Sequence, residues 1–148
     1  MIILRRMILL IALMFWQGGF MFYGVVVVPV GAEVLGSHRA QGRITRPVTN
    51  YLHGAGAVCL IAWCWEVVSE RGTSRRFRWA LLIALAVALA IQVGLHNWLE
   101  TLLDAEPLQQ PLFGQVHQAY LIVSTAQWLL ALTLIALTVQ SWSAKPEA

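Results

Sequence analysis

Four long apolar stretches determine what this chain can fold into. They lie near residues 7–30, 48–68, 79–99 and 115–140, and each reaches the roughly 20 helical residues that cross a hydrocarbon core. Of all residues, 59% are hydrophobic and only 11% are charged, whereas soluble domains carry about 25% charged residues. No segment between the stretches is long enough to build a core of its own. The sequence therefore predicts one all-α membrane domain over residues 1–148, an integral four-helix antiparallel bundle.

The first apolar stretch follows Arg5 and Arg6, an arrangement that also opens secretory signal peptides. The apolar core of a signal peptide is only about 7–15 residues long and ends at a small-residue cleavage site. Here the apolar run continues past Phe22 through the valines at 25–28, and no A-x-A-like site follows. We therefore expect a retained helix.

The basic residues predict an orientation in the membrane. The formal net charge is +3, but the arginines flank apolar stretches, as the positive-inside rule predicts, so we expect a lipid bilayer and no nucleic acid as the partner. An inward N-terminus places seven basic residues on the cytoplasmic side and three outside. The seven are Arg5, Arg6, Arg71, Arg75, Arg76, Arg78 and Lys145, and the three are Arg39, Arg43 and Arg46. We expect a multi-pass protein of the cell (inner) membrane with both termini cytoplasmic.

Three histidines fall at the same end of three predicted helices. In this topology His53, His96 and His117 all lie near the outer surface, Glu100 shares a helix face with His96, and Asn50 is placed to orient His53. Imidazoles with a carboxylate suit zinc, copper or iron, so these three histidines and Glu100 are candidate metal ligands. Two facing histidines are also haem ligands. The interpretation that we favour is that each histidine sits at a wet interface or caps a polar network, with no cofactor, and metal or haem binding is the alternative.

The last apolar stretch carries a polar stripe. Its members follow one another at steps that keep them on one helix face, and they are His117, Tyr120, Ser124, Gln127 and Trp128. Polar side chains at membrane depth are costly unless they are paired, so we expect the stripe to face the bundle interior. Gln92 from the third helix and Gln17 from the first are expected to meet it.

Other polar and small residues give further expectations. Glu66 and Glu70, at the inner end of the second helix, should pair with the arginines near that end; a proton or cation site is the alternative.

Cys59 and Cys64 point to different helix faces and are expected to be packing residues rather than a disulfide. Glycines predict close helix contacts, at Gly18, Gly19, Gly24, Gly54 and Gly56. Tryptophans near span ends are expected to be interfacial anchors, namely Trp16, Trp79, Trp98 and Trp142.

Prolines and polar runs predict the connections. Pro29 and Gly31 should close the first helix, and a polar loop over residues 33–46 holds His38. Pro47 then stands in the first turn of the second helix, where proline is tolerated. Between the third and fourth helices the predicted breakers are Pro107 and Pro111.

Short motifs resemble a known family. Residues 16–20 read WQGGF and are followed by Val28-Pro29, and residues 113–120 read FGQVHQAY, with an F-x-x-x-H motif at the start of the last helix. These segments are similar to the transmembrane protein 205-like family. The resemblance implies a four-helix membrane bundle; the role of bacterial members is essentially unassigned, and the animal relative is associated with platinum-drug resistance. A looser similarity to copper-resistance membrane proteins transfers no ligand set, because only His117 matches a motif position.

Three classes of function fit these features. We expect a small structural or accessory membrane protein that packs in a larger membrane complex or a homo-oligomer. One alternative is a metal- or haem-binding protein with a histidine site at the outer face, and a second is a transporter or channel component. An enzyme is not expected, since the sequence carries no nucleophile–base pair, phosphate loop or nucleotide fingerprint.

Overall fold

The computed structural model describes residues 1–69, 75–105 and 110–143, with His38 described by its backbone alone. Within these residues the regular structure is entirely helical, so the predicted all-α class is confirmed for them. Four helices are long and apolar enough to cross a membrane. They are α1, Ile2–Leu35; α2, His38–Ser69; α3, Arg75–Asp104; and α4, Gln110–Ser143.

The helices are longer than the apolar stretches that predicted them. The shortest, α3, has 30 residues and is about 45 Å long at 1.5 Å per residue, whereas a hydrocarbon core is about 30 Å thick. The predicted loop over residues 33–46 is wrong, because only Gly36 and Ser37 separate α1 from α2. Pro47 accordingly lies inside α2 rather than in its first turn. This polar segment packs along α3, because Arg39 and Arg46 donate to the carbonyls of Leu103 and Glu100, and Gln41 is buried.

The course of α1 depends on how it accommodates a proline. Pro29 was predicted to close the helix, but α1 continues through it to Leu35. A wider, π-helical turn over Tyr23–Val27 ends two residues before Pro29, and such local adjustments accommodate the missing N–H and the bulk of the ring. The helix ends where Gly36 adopts a left-handed conformation with φ of 59°, which glycine takes without a Cβ clash.

Packing against neighbours is uneven among the four helices. Helix α3 contacts both α2 and α4, and α1 packs along α2. The larger core cluster includes Leu9, Trp16, Cys59, Trp63, Leu85, Ala131 and Leu134. Cys59 is thus a packing residue, as expected, and both cysteines are free. Only 11% of the apolar segment of α1 is buried, against 44% for α2, so α1 presents most of its apolar surface outward.

Glycines set the distance between α1 and α2. A methyl group added at Gly19 would lie 3.1 Å from the Leu52 side chain, and one added at Gly56 would lie 2.8 Å from Nε1 of Trp16. Close approach is therefore confirmed at these two glycines, while the same test finds open space at Gly18, Gly24 and Gly54. Trp16 is only 2% exposed, so its predicted role as an interfacial anchor is wrong.

Candidate functional site

Two imidazoles meet at one end of the helices, which we call the histidine end and define by His53, His96 and Glu100. His53 of α2 and His96 of α3 are both more than nine-tenths buried. Their ring centroids are 5.3 Å apart and the rings meet edge to face. Tyr120 of α4 places its hydroxyl oxygen 3.3 Å from Nε2 of His53. Three helices therefore converge at this point, as the predicted topology requires for His53 and His96.

Glu100 connects the histidine end to the polar surface. Its Oε1 lies 3.2 Å from Nε2 of His96 and 3.5 Å from Nε of Arg46, and it accepts a hydrogen bond from Asn50 at 3.4 Å. Asn50 therefore contacts this carboxylate instead of orienting the histidine of its own helix. Arg46 also donates to Asp104 at 2.9 Å. Arg39 donates to the carbonyl of Leu103 at 3.2 Å, so two guanidinium groups lie beside the two carboxylates at this end and their charges balance.

His117 does not join the other two histidines. Its side chain is exposed and stacks on Phe113, with ring centroids 6.1 Å apart and planes 6° from parallel. The buried face of α4 follows Val116, Tyr120, Ser124 and Gln127. A single residue step turns a helix by about 100°, so His117 points away from this face although it directly follows a buried residue.

The predicted cofactors can be compared with this arrangement. Among the described residues, no group of three or more His, Cys, Asp or Glu side chains is arranged to hold a metal ion. His53, His96 and Glu100 lie together, and the metal itself stays a prediction. Haem ligation by two histidines needs a gap wide enough for the macrocycle. The imidazoles of His53 and His96 contact each other, so no such gap separates them.

The polar stripe of α4 continues inward from the histidine end. Tyr120, Ser124 and Gln127 are all buried, as their spacing predicts. Gln92 of α3 donates to Oγ of Ser124 at 2.8 Å, which joins the two helices at the expected place. Gln17 is half-buried and forms no hydrogen bond with the stripe in the described part of the chain. The stripe thus joins α4 to α3 through Gln92 and to α2 through His53, and α1 takes no part in it.

A second polar network occupies the opposite end of the helices. We call it the arginine end and define it by Arg5, Glu66 and Arg78. Glu66 is completely buried and accepts hydrogen bonds from Nε of Arg5 and from Nε1 of Trp142 at 2.6 Å. Its direct ionic partner is therefore Arg5 of α1, although Arg78 also lies within range of its charge. Glu70 and Arg71 were also predicted to form ion pairs at this end of the helices, and they lie outside the described residues.

Arg78 ties α3 to α4 at the arginine end. Its side chain is 1% exposed and donates to Oγ1 of Thr138 at 3.2 Å and to Oγ of Ser141 at 3.4 Å. Trp63 of α2 also donates to Thr138, at 3.1 Å. All four helices consequently contribute to the arginine end. Thr138 continues the buried face of α4 that carries Tyr120, Ser124 and Gln127, but the predicted polar stripe ended at Trp128, so this network was not predicted.

The separation of the two polar networks matches a bilayer. Eighteen residues of α3 separate Arg78 from His96, which is about 27 Å along the helix, and a hydrocarbon core is about 30 Å thick. Between the networks the helices carry fully buried apolar side chains, including Leu85, Ala131 and Leu134. The two polar networks therefore lie at the levels expected for the two interfaces of a membrane.

Comparison with protein-family models, curated proteins and solved structures finds no match in any of the three. The resemblance to the transmembrane protein 205-like family thus rests on its short motifs alone. The fold and the site themselves define the class: a helical chain with four candidate membrane spans and a polar network near each end.

The histidine end allows a direct test of its geometry. We expect His53→Ala to lower the free energy of unfolding by about 2 kcal/mol, because the buried hydroxyl of Tyr120 loses its partner. His117→Ala should change it by less than about 0.5 kcal/mol, since that side chain is exposed. Unfolding of the detergent-purified protein, followed by circular dichroism, measures both. Equal losses in the two variants would contradict the separation of His117 from the pair.

The same two variants test the predicted metal. A melting temperature that rises with added Zn²⁺ or Cu²⁺ in the wild type and in His117→Ala, but not in His53→Ala, would establish a metal at the pair. If neither ion changes the melting temperature of the wild type, the metal prediction is wrong.

Proposed function

We propose that the protein is a multi-pass integral membrane protein whose helices form an antiparallel bundle with both termini cytoplasmic, and that it is an accessory subunit rather than an enzyme. Four candidate spans support the membrane placement. The basic residues at the arginine end support a cytoplasmic location for that end. The apolar layer between the two polar networks favours a packing role over a continuous polar path through one chain.

An exposed ridge of small residues on α3 carries the accessory role. Ala86, Ala90 and Gly94 follow one another at intervals of four, which places them on one ridge of the helix. All three are exposed, and a methyl group added at Gly94 would meet nothing within 4 Å. The opposite face of α3 is buried against its neighbours. In lipid, small residues on one ridge let a second helix approach closely, which is how membrane helices associate.

The surroundings of the α3 ridge, defined by Ala86, Ala90 and Gly94, indicate the kind of partner it fits. Val87 and Ile91 lie along one side of the ridge and are 53% and 47% exposed, so they add apolar surface for packing. Asn97 lies exposed one turn beyond Gly94, and side-chain amides commonly hydrogen-bond between membrane helices. The surface fits a transmembrane helix that has a small-residue ridge of its own and a polar group near its outer end.

Site-specific photo-crosslinking in cells tests this proposal. A benzophenone amino acid at Val87 is expected to give an adduct, whereas the same probe at Leu129, which is 54% exposed on α4, should give little. Adding Gly94→Leu to the Val87 probe should reduce the adduct about tenfold, the effect of about 1.4 kcal/mol of association energy.

The adduct also identifies the partner. A heavier species containing another chain supports an accessory subunit in a larger assembly, and an adduct of twice the mass of this chain would replace that proposal with a homo-oligomer. No adduct from Val87, or equal adducts from both positions, would overturn association through α3.

A further inference from the structure

Arg6 lies over the indole ring of Trp142, where α1 meets α4 at the arginine end. Its guanidinium carbon is 4.9 Å from the ring centroid, close enough for a cation–π contact. The indole is fixed because its Nε1 donates to one oxygen of Glu66 at 2.6 Å, and Arg5 pairs with the other oxygen of the same carboxylate. These contacts hold the guanidinium of Arg6 in position before any ligand binds.

The guanidinium of Arg6 has no anionic partner among the described residues. Its side chain forms no hydrogen bond or ion pair there, and its Nε is buried without an acceptor. The neighbouring carboxylate of Glu66 already accepts from Arg5 and Trp142. A cation–π contact uses the face of the indole and leaves the N–H groups of the guanidinium available. Because the side chain of Arg6 is only half-buried, an anion outside the helices can reach these donors.

The charge of the arginine end indicates the sign of the missing partner. By sequence position, the seven basic residues predicted to be cytoplasmic are accompanied at this end by only three acidic ones, Glu66, Glu70 and Glu147. The end is therefore positively charged. Guanidinium groups bind carboxylates and phosphates through paired hydrogen bonds, and the anions that a bilayer presents at its cytoplasmic surface are those of its acidic lipids.

Exposed apolar side chains lie on the deeper side of this contact. Leu10 follows Arg6 by one turn on α1, and Val139 precedes Trp142 by one turn on α4, so each shares a helix face with the residue nearer the arginine end. Leu10 and Val139 are 41% and 47% exposed. An acyl chain that extends inward from a headgroup at Arg6 gains contact with this apolar surface, whereas a free phosphate does not.

We propose that Arg6 and Trp142 form a site for the phosphate of one anionic phospholipid, whose acyl chain lies along Leu10 and Val139. The site rests on the membrane placement proposed above, which puts the arginine end at the level of the cytoplasmic headgroups. The guanidinium donates to the phosphate oxygens while the indole supports it. A zwitterionic headgroup binds less tightly, because its positive group meets the surrounding arginines. The site therefore selects phosphatidylglycerol over phosphatidylcholine.

Three substitutions separate this site from the general positive charge of the arginine end. Arg6→Gln removes the charge that lies over Trp142. Arg6→Lys keeps the charge but loses the planar pair of donors. Arg76→Gln is the matched control, because Arg76 is exposed in the first turn of α3 and its replacement removes one charge from the same end.

Native mass spectrometry of the full chain, titrated with phosphatidylglycerol or with phosphatidylcholine of identical acyl chains, measures the binding. One phosphatidylglycerol should be retained about fivefold more tightly than phosphatidylcholine, a difference of about 1 kcal/mol. Arg6→Gln should abolish that preference, Arg6→Lys should reduce it, and Arg76→Gln should retain most of it. Inorganic phosphate added in excess should not displace the lipid, because the acyl chain supplies part of the binding.

Equal retention of the two lipids by the wild type would overturn the site, as would equal losses of preference in Arg6→Gln and Arg76→Gln. Displacement by inorganic phosphate would assign Arg6 to a free anion and overturn the lipid. If Arg6→Gln does not fold, as judged by circular dichroism, Arg6→Lys decides, and an unchanged preference in that variant overturns the site. The crosslinking at Val87 does not involve Arg6 or Trp142, so a failure of the lipid site and a failure of the accessory role are read separately.

Discussion

Replacing Glu66 with glutamine is expected to lower the free energy of unfolding by about 3–5 kcal/mol. The carboxylate is completely buried and accepts from both Arg5 and Trp142. A neutral amide keeps the size of the side chain and can still accept from the indole, but it leaves the charge of Arg5 without a counterion in a buried place. Reversible unfolding in mixed micelles of a mild detergent and dodecyl sulfate, followed by circular dichroism, measures the loss.

Glu33→Gln is the matched control for this substitution. Glu33 is exposed on α1, so removing its charge should change stability by less than about 0.5 kcal/mol. The double variant Arg5→Leu/Glu66→Leu removes both charges and should recover part of the loss, because no unpaired charge then stays buried. A Glu66→Gln variant as stable as Glu33→Gln would show that the pair does not hold α1 to the bundle.

The number of helices was predictable from the sequence, but their ends were not. Hydropathy locates the segment that lipid would cover, and it says little about a helix that continues into water. The polarity of residues 33–46 predicts a loop, yet within this run only Gly36 and Ser37 lie outside a helix. The sequence signal for the break is Gly36 itself, since glycine commonly ends a helix in the left-handed conformation that the structure shows here, but the polarity of the residues around it predicts a longer loop.

The sequence predicted which residues of the candidate site lie at the same depth in the membrane. It did not predict which way each helix is rotated about its own axis. The topology alone brings His53 and His96 to one level, and the structure places them together. Whether His117 joins them depends on a rotation of one residue about α4, which the stripe pattern does not resolve. The pairing of Arg5 with Glu66 joins residues 61 positions apart and depends on how α1 is rotated against α2.

The burial of Trp16 likewise depends on how α1 is rotated, which the sequence did not predict. Its replacement is the second substitution from which we expect a large loss of stability. Trp16→Ala should lower the free energy of unfolding by about 3 kcal/mol, because a ring that is only 2% exposed leaves a cavity that its neighbours fill incompletely. Trp98→Ala is the control, since that ring is 48% exposed and contributes little packing. Unfolding followed by circular dichroism measures both, and similar losses would contradict the burial of Trp16.

Gly56 packs against the ring of Trp16, so substitutions at both positions test whether this contact sets the distance between α1 and α2. A methyl group at Gly56 would lie 2.8 Å from Nε1 and 2.9 Å from Cε2 of Trp16, so Gly56→Val should cost about 1–3 kcal/mol by pushing α1 away from α2. Gly54→Val, which faces open space, should cost less. In the Trp16→Ala background the added side chain of Gly56→Val enters the cavity, so the double variant should lose less stability than the two single losses added together. Strictly additive losses would mean that the ring and the glycine do not set the distance between α1 and α2.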